Sequence, residues 1–201
     1  ELKIPKVANK GLVLELFSGC GGLSLGFEVA GFQTIGYEMK KEYTQTYNEN
    51  LRGNCHQQFI DEDTTLPHKD VDVIVAGPPC QPWSEAGKNL GDADERDGFP
   101  VLIEFIGRLR PEIFLIENVE GLYKEKHKPY LNLIVSELKK LRYTVVHQLI
   151  DMSKYGVPQE RKRVFIIGSK AEFSWPEKSD VVFNAGDALG KWSLEAPEDG
   201  E

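Results

Sequence analysis

A mostly parallel β-sheet with helices on both faces is the architecture expected of this 201-residue chain, and three observations lead to it. Several strand candidates are continuous apolar runs, as strands buried on both faces must be. Between them lie segments whose apolar residues recur at helical spacing. The unusual residues (glycines, prolines, carboxylates and a cysteine) gather where the expected strands end, and open parallel sheets bind ligands at the carboxyl ends of their strands.

The elements follow in order. "LVLELF" (Leu12 to Phe17) reads as a buried strand running into a glycine-rich turn, and "LSLGFEVAGF" as a helix closed by Gly31. "QTIGYE" is a second strand. Tyr43, Tyr47 and Leu51 recur every four residues and mark a helix. "VDVIVAG" (Val71 to Gly77) is a β-branched third strand. Phe105, Ile106 and Leu109 belong to a helix stopped by Pro111, and "IFLIENV" (Ile113 to Val119) is a fourth strand. Leu131, Ile134, Leu138 and Leu141 share one helix face; "TVVHQLID" and "RVFIIGS" are further strands. From Glu172 onward Pro, Asp, Glu and Gly accumulate and periodicity is lost. Residues 1–171 therefore read as one domain, and 172–201 as a linker or the start of another part.

Composition narrows the classes. Hydrophobic residues make up 40% and charged residues 28%, as in globular chains. No apolar run approaches the roughly 20 residues of a membrane span, and the N-terminal residues do not resemble a secretory signal. Three cysteines, Cys20, Cys55 and Cys80, form no CxxC pair and argue against a disulfide scaffold. With four scattered histidines, no zinc site is expected. An intracellular, non-secreted location follows. The net charge of −8 argues by itself against nucleic-acid binding. Basic residues nonetheless gather in "KKLR" (Lys139 to Arg142) and "QERKR" (Gln159 to Arg163).

Four short stretches carry chemistry. Gly19, Gly21 and Gly22 stand between strand and helix, where glycine allows positive φ and close approach to a ligand. The dinucleotide pattern GxGxxG fails at Ser24, and no Gly-Lys-Ser/Thr follows, so a phosphate loop is excluded. A tight turn without a ligand is the plain alternative. Glu38, 16 to 19 residues on at the end of the second strand, can accept bonds from ribose hydroxyls, which favours an adenosine-containing cofactor lacking pyrophosphate. Cys80 lies in a loop stiffened by Pro78 and Pro79, which suits an aimed nucleophile better than a packed thiol. Glu117 ends an apolar strand, where partial burial suits a carboxyl for proton donation; an ordinary strand-end Glu is the alternative. Gln159, Arg161 and Arg163 alternate, so an extended segment puts them on one face, whether to contact phosphates and bases or as a charged strand edge.

Taken in order, "ELFSGCGGLSLGFEVAGF", "GPPCQPWS", "ENV" and "QERKR" resemble the motifs of the cytosine-5 DNA methyltransferases, and the likeness runs from about Leu12 to Gly168. The resemblance implies a Rossmann-like, S-adenosylmethionine-dependent methyltransferase fold. It also implies S-adenosylmethionine as donor, held by Phe17, Ser18, Gly19, Cys20, Gly21, Gly22 and Leu23, by Glu38 at the ribose, and by Met39 on the adenine. Asp63, with Asp61 as alternative, would reach the adenine amine, and Gly77 and Pro79 would line the same site. The substrate would be double-stranded DNA with a flipped cytosine. Cys80 would attack carbon 6, Glu117 would hold the ring nitrogen and amine, and Arg163 would contact the base, supported by Arg161 and Gln159. Gln81 and Ser84 would contact DNA. The resemblance implies a restriction-modification or a maintenance role, and the sequence does not choose between them.

Departures from the family matter too. Pro82 and Trp83 replace its usual residues after PCQ. The tRNA cytosine-5 members carry a proline there, so a tRNA methyltransferase is one alternative; a non-catalytic regulatory homologue is another, disfavoured by the presence of both Cys80 and Glu117. The sequence stops soon after "QERKR", with "FNAGDALGKW" resembling the start of the family's later part. A second polypeptide or chain segment is therefore expected to carry the target-recognition region and the basic surface that reads DNA.

Overall fold

The computed structural model describes residues 10–79 and 97–190. Seven strands form one sheet: β1 (Leu12–Leu16), β2 (Gln33–Glu38), β3 (Asn54–Gln57), β4 (Val73–Ala76), β5 (Ile113–Val119), β6 (Thr144–Asp151) and β7 (Lys162–Ser169). Their spatial order is β3-β2-β1-β4-β5-β7-β6. The five strands from β3 to β5 are parallel, and β7 runs antiparallel to both β5 and β6. Among the described residues, five α-helices accompany them: α1 (Gly22–Val29), α2 (Lys41–Asn50), α3 (Phe99–Leu109), α4 (Lys128–Lys140) and α5 (Ala185–Leu189).

Side chains alternate across the sheet. Leu14, Leu16, Ile74, Ala76, Phe114 and Ile116 point to one face and form the main core with Leu102, Phe105 and Ile106 of α3 and Leu131, Ile134 and Leu138 of α4. Val13, Val73 and Val75 point to the other, where Leu23, Phe27 and Phe32 in and after α1 cover them. Tyr47 of α2 is fully buried and packs toward β2.

Most expected elements form where they were expected, and the exceptions have physical causes. β3 was not expected: in "NCHQ" only Cys55 is buried, because the strand is an edge and shows no apolar run. Phe17 lies outside β1 with φ of 56°, in the left-handed region that ends the strand. The strand around Val71 is shorter, beginning at Val73. The segment after β7 is largely exposed, yet it contains α5, opened by a capping box in which Asn184 and Asp187 exchange bonds.

Beyond Leu115, among the described residues, the α1-side face carries no α-helix and is covered in part by the short turn Met152–Tyr155 and by Phe173 and Trp175. Leu115, Ile150, Phe165 and Ile167, with Met152, Tyr155, Phe173, Trp175 and Pro176, line an apolar cavity of about 310 Å³.

Candidate active site

The glycine turn follows from how β1 ends. Phe17 and Gly19 (φ 53°) turn the chain, and Gly21 (φ 85°) precedes α1 as its cap. A Cβ at Gly21 would overlap the ring of Tyr47, so both conformation and space demand glycine there. The turn is tied down by Ser18 N–H donating to Tyr37 O (3.1 Å) and Gly21 N–H donating to Ser18 O (2.9 Å). Ser18 itself is buried, its hydroxyl 3.3 Å from the Cys55 sulfur. Cys20 is exposed.

Glu38 closes the turn from β2. Its Oε2 accepts from Gly19 N–H and its Oε1 from Lys40 N–H, each at 2.9 Å. An ionised carboxylate has about four acceptor positions, so capacity for two hydroxyls remains. Beside it is a cavity of about 310 Å³. Phe17, Gly19, Glu38, Met39, Gly77 and Pro79, all expected at the cofactor, line it. Tyr37, Tyr43, Gln58, Phe59 and Ile60 line it as well, and sequence reasoning had missed them. The one available signal was "QFI", two apolar residues within an otherwise polar stretch. Met39 (56% exposed) and Phe59 (66%) are large apolar groups at its rim, suited to receive an aromatic ring. Ser18, Cys20, Gly21, Gly22 and Leu23 do not line the cavity. Neither Asp63 nor Asp61 lines it: Asp61 Oδ1 instead accepts from Thr64 Oγ1 at 2.6 Å within its own turn.

The second half of the site assembles at the ends of β4, β5 and β7. Glu117 Oε1 accepts from Arg163 Nε (2.9 Å) and Arg161 Nη2 (3.3 Å), Arg163 standing diagonally across the β5–β7 ladder on the same face. A Cβ on Gly77 would be 3.8 Å from Glu117 Oε2, so this carboxylate looks onto the start of the Pro-Pro loop. Gln159 is exposed nearby in sequence, its N–H donating to Val157 O at 2.8 Å. Cys80, Gln81 and Ser84 lie outside the described residues, as do Pro82 and Trp83. The loop's entry and exit are held together: Gly98 N–H donates to Pro79 O at 3.1 Å. Asn118, buried at 3% exposure, donates from Nδ2 to Pro78 O at 3.2 Å. Asn118 is a positioning group that the motif "ENV" contained but sequence reasoning did not single out.

Among the described residues no group of His, Cys, Asp and Glu could hold a metal ion, and no helix is long and apolar enough to cross a membrane.

A seven-stranded sheet with one antiparallel strand, a glycine turn after β1 and a carboxylate ending β2 define a Rossmann-like fold of the methyltransferase type. The family model for C-5 cytosine-specific DNA methylases matches residues 12–189, and the chain belongs to that family. It is 45% identical over 192 residues to the Type II methyltransferase M.AplI of Arthrospira platensis, covering 94% of this chain and 55% of that protein. It is 38% identical over 173 residues to M.FnuDI of Fusobacterium nucleatum, covering 82% and 50%. Among solved structures, a DNMT2 variant of Spodoptera frugiperda is 26% identical with a TM-score of 0.63, covering 87% of this chain and 55% of that one. The chain thus spans about half the length of the curated relatives it matches.

Proposed function

We propose that this chain is the donor-binding and catalytic part of a DNA (cytosine-5-)-methyltransferase of the modification type, acting in the cell interior. The observation that carries the reading is the Glu117–Arg163–Arg161 cluster, held 3.8 Å from the Gly77 Cβ position at the root of the Cys80 loop and next to the Glu38 cavity. S-adenosylmethionine fits that cavity: spare acceptor positions on Glu38 suit a ribose diol, and the rim formed by Met39 and Phe59 suits adenine. When bound, this donor supplies an electrophilic methyl group.

Each residue then has a task. Cys80, as thiolate, attacks carbon 6 of a cytosine flipped out of the duplex. Glu117, oriented by the two arginines, accepts from the exocyclic amine and, in its protonated form, donates to the ring nitrogen, offsetting the charge that develops on the ring. Carbon 5 gains nucleophilic character and takes the methyl group; loss of its proton expels Cys80. Asn118 and Gly98 hold the ends of the loop that carries the nucleophile.

The open apolar face around Leu115, Phe165 and Trp175 supports a further element of this reading. A second half, as a continuation beyond residue 171 or as a separate polypeptide, covers that face and supplies the target-recognition region. It would also supply basic surface to offset the net charge of −8.

The test mixes the chain, with and without that second half, with labelled donor and either duplex DNA or tRNA. Transfer to DNA that needs the second half and vanishes in Cys80→Ser is expected. Transfer to tRNA alone would overturn the DNA reading, and full sequence-specific turnover by these 201 residues would overturn the need for a second half.

A further inference from the structure

We propose that Glu15 is a positioning residue for the methyl donor: it acts through Ser24 to hold the first turn of α1, and with it the glycine turn beside the donor cavity, in binding geometry. The inference rests on the donor reading above. Glu15 stands on β1 at 2% exposure, and its Oε2 accepts from Ser24 N–H (3.1 Å) and from the Ser24 hydroxyl. Ser24 is the third residue of α1 and wholly buried, so its amide is one a helix cannot satisfy internally. Gly21, the cap, has no side chain to do so. A carboxylate from the neighbouring strand therefore does the capping.

Packing alone does not call for this residue. The apolar strand residues on that face include Val13, Val73 and Val75, and an apolar side chain at Glu15 would join them without the cost of a buried charge. Another buried carboxylate, Glu28 near the C-terminal end of α1, has a different use. Glu28 accepts from Thr34 Oγ1 (2.6 Å), Arg52 N–H (3.0 Å) and Gly53 N–H (2.7 Å), tying α1 to the approach to β3. Tyr47 spans the two: its hydroxyl donates to Thr34 Oγ1 at 3.0 Å, and its ring packs where Gly21 lacks a Cβ.

The titratable groups around Glu15 are Glu28 on α1, Tyr47 on α2, Cys55 on β3 and, beyond Cys55, Glu38 on β2. None of them is basic, and β4 presents only apolar side chains. Burial pushes the Glu15 carboxyl up to about 7, against the pull of its two bonds from Ser24. Its charge therefore changes across the neutral range. Ionised, both Ser24 bonds are charge-assisted and the turn is held; neutral, they weaken. Folding responds in the opposite sense. A carboxyl that holds its proton more tightly folded than unfolded contributes stability that is present below its ordinary value of 4.5 and lost as pH rises through about 7. Ionising Glu15 thus strengthens donor binding while it weakens the fold, and a merely structural residue would move both together.

The test uses Glu15→Gln, which keeps shape and neutral hydrogen bonding, and Glu15→Asp, which keeps an ionisable group. At pH 8, Glu15→Gln is expected to bind donor about tenfold more weakly by calorimetry, the loss of roughly one charge-assisted bond. Over the same pH its urea midpoint is expected to rise. Wild-type donor affinity tightens from pH 6 to 8, Glu15→Gln is flat, and Glu15→Asp regains a pH step. Equal donor affinity in wild type and Glu15→Gln, or affinity and stability falling together, would overturn the inference. If wild type binds no donor even with the second half present, the donor reading itself fails. Amide exchange in the donor-free chain then decides the role of Glu15: faster exchange at Ser24 in Glu15→Gln supports it, and unchanged exchange overturns it.

Discussion

The two ends of the sheet are finished to different degrees. At the β3-β2-β1 end both faces are closed from within the chain. α1 and α2 cover one, with Glu15, Ser24, Thr34, Glu28 and Tyr47 bonded to one another or to the backbone beneath them. Tyr37, Ile60, Leu66 and Val71 join the main core on the other. At the β5-β7-β6 end α3 and α4 close one face, while the other, among the described residues, has no α-helix and is covered only in part by Met152, Tyr155, Phe173 and Trp175. The strand pattern of β5 records the difference: Phe114, Ile116 and Asn118 are buried, while Leu115, Glu117 and Val119 between them are not. On the function proposed above, the donor cavity lies at the end where both faces are covered, and the base-facing side lies toward the end with the apolar cavity. Removing a group at the base-facing end should spare donor binding; removing one at the donor end should not.

The largest expected effect comes from Arg163, whose Nε lies 2.9 Å from Glu117 Oε1. With the second half present, Arg163→Ala should lower kcat about 10²–10³-fold, as loss of one preorganised polar contact does, and leave the calorimetric affinity for donor unchanged. Arg163→Lys should not restore the rate, because a point charge on a flexible stem does not reproduce the guanidinium fork. A matching loss of donor affinity would show the two ends to be one unit. Gly21→Ala tests the other end. It forces a side chain onto φ of 85° and into the Tyr47 ring, so stability should fall by about 3 kcal/mol in urea titrations and donor binding should disappear with the turn.

The same contrast explains what could be read from the sequence. Strands buried on both faces write continuous apolar runs, so β1 and β4 were legible, and β5 was legible from its apolar start Ile113 to Ile116 although only alternate side chains are buried; edge strand β3, with one buried side chain, wrote nothing. The ends of the strands were legible because glycine, glutamate and arginine are costly or conspicuous there. Glu38, Glu117, Arg161 and Arg163 do meet partners at those ends. The adenine side was less legible. The family resemblance pointed to Asp63 or Asp61, but Gln58, Phe59 and Ile60 line the cavity, since the chain reaches it directly on leaving β3. Glu15 was hidden inside an apolar run, where only its bonds to Ser24 reveal a purpose. No spacing rule could predict that Asn118 would reach back 40 residues to Pro78.

Asn118 gives an intermediate effect. Asn118→Ala removes a buried donor from Pro78 O and should cost about 2 kcal/mol of stability, the penalty of an unsatisfied buried acceptor. Methyl transfer should slow with it, yet less than for Arg163→Ala, because Gly98 N–H still holds Pro79 O. Single-turnover rates at saturating donor would separate the two; a larger loss for Asn118→Ala would mean that the loop root, rather than the carboxylate cluster, limits the reaction.

The smallest effect on the chain itself is expected at Trp175, which packs edge-on against Phe173 with ring centroids 5.3 Å apart at the open face. Trp175→Ser gives up this aromatic pair and little else, so isolated stability should change by only about 1 kcal/mol and donor affinity not at all. Its consequence should appear when the second half is added. An aromatic anchor in an apolar cavity is the kind of group on which association energy concentrates, so affinity for that half should fall about tenfold or more by titration. Were association unaffected while isolated stability dropped sharply, the face would belong to this chain's own core, and the two ends of the sheet would be equally finished after all.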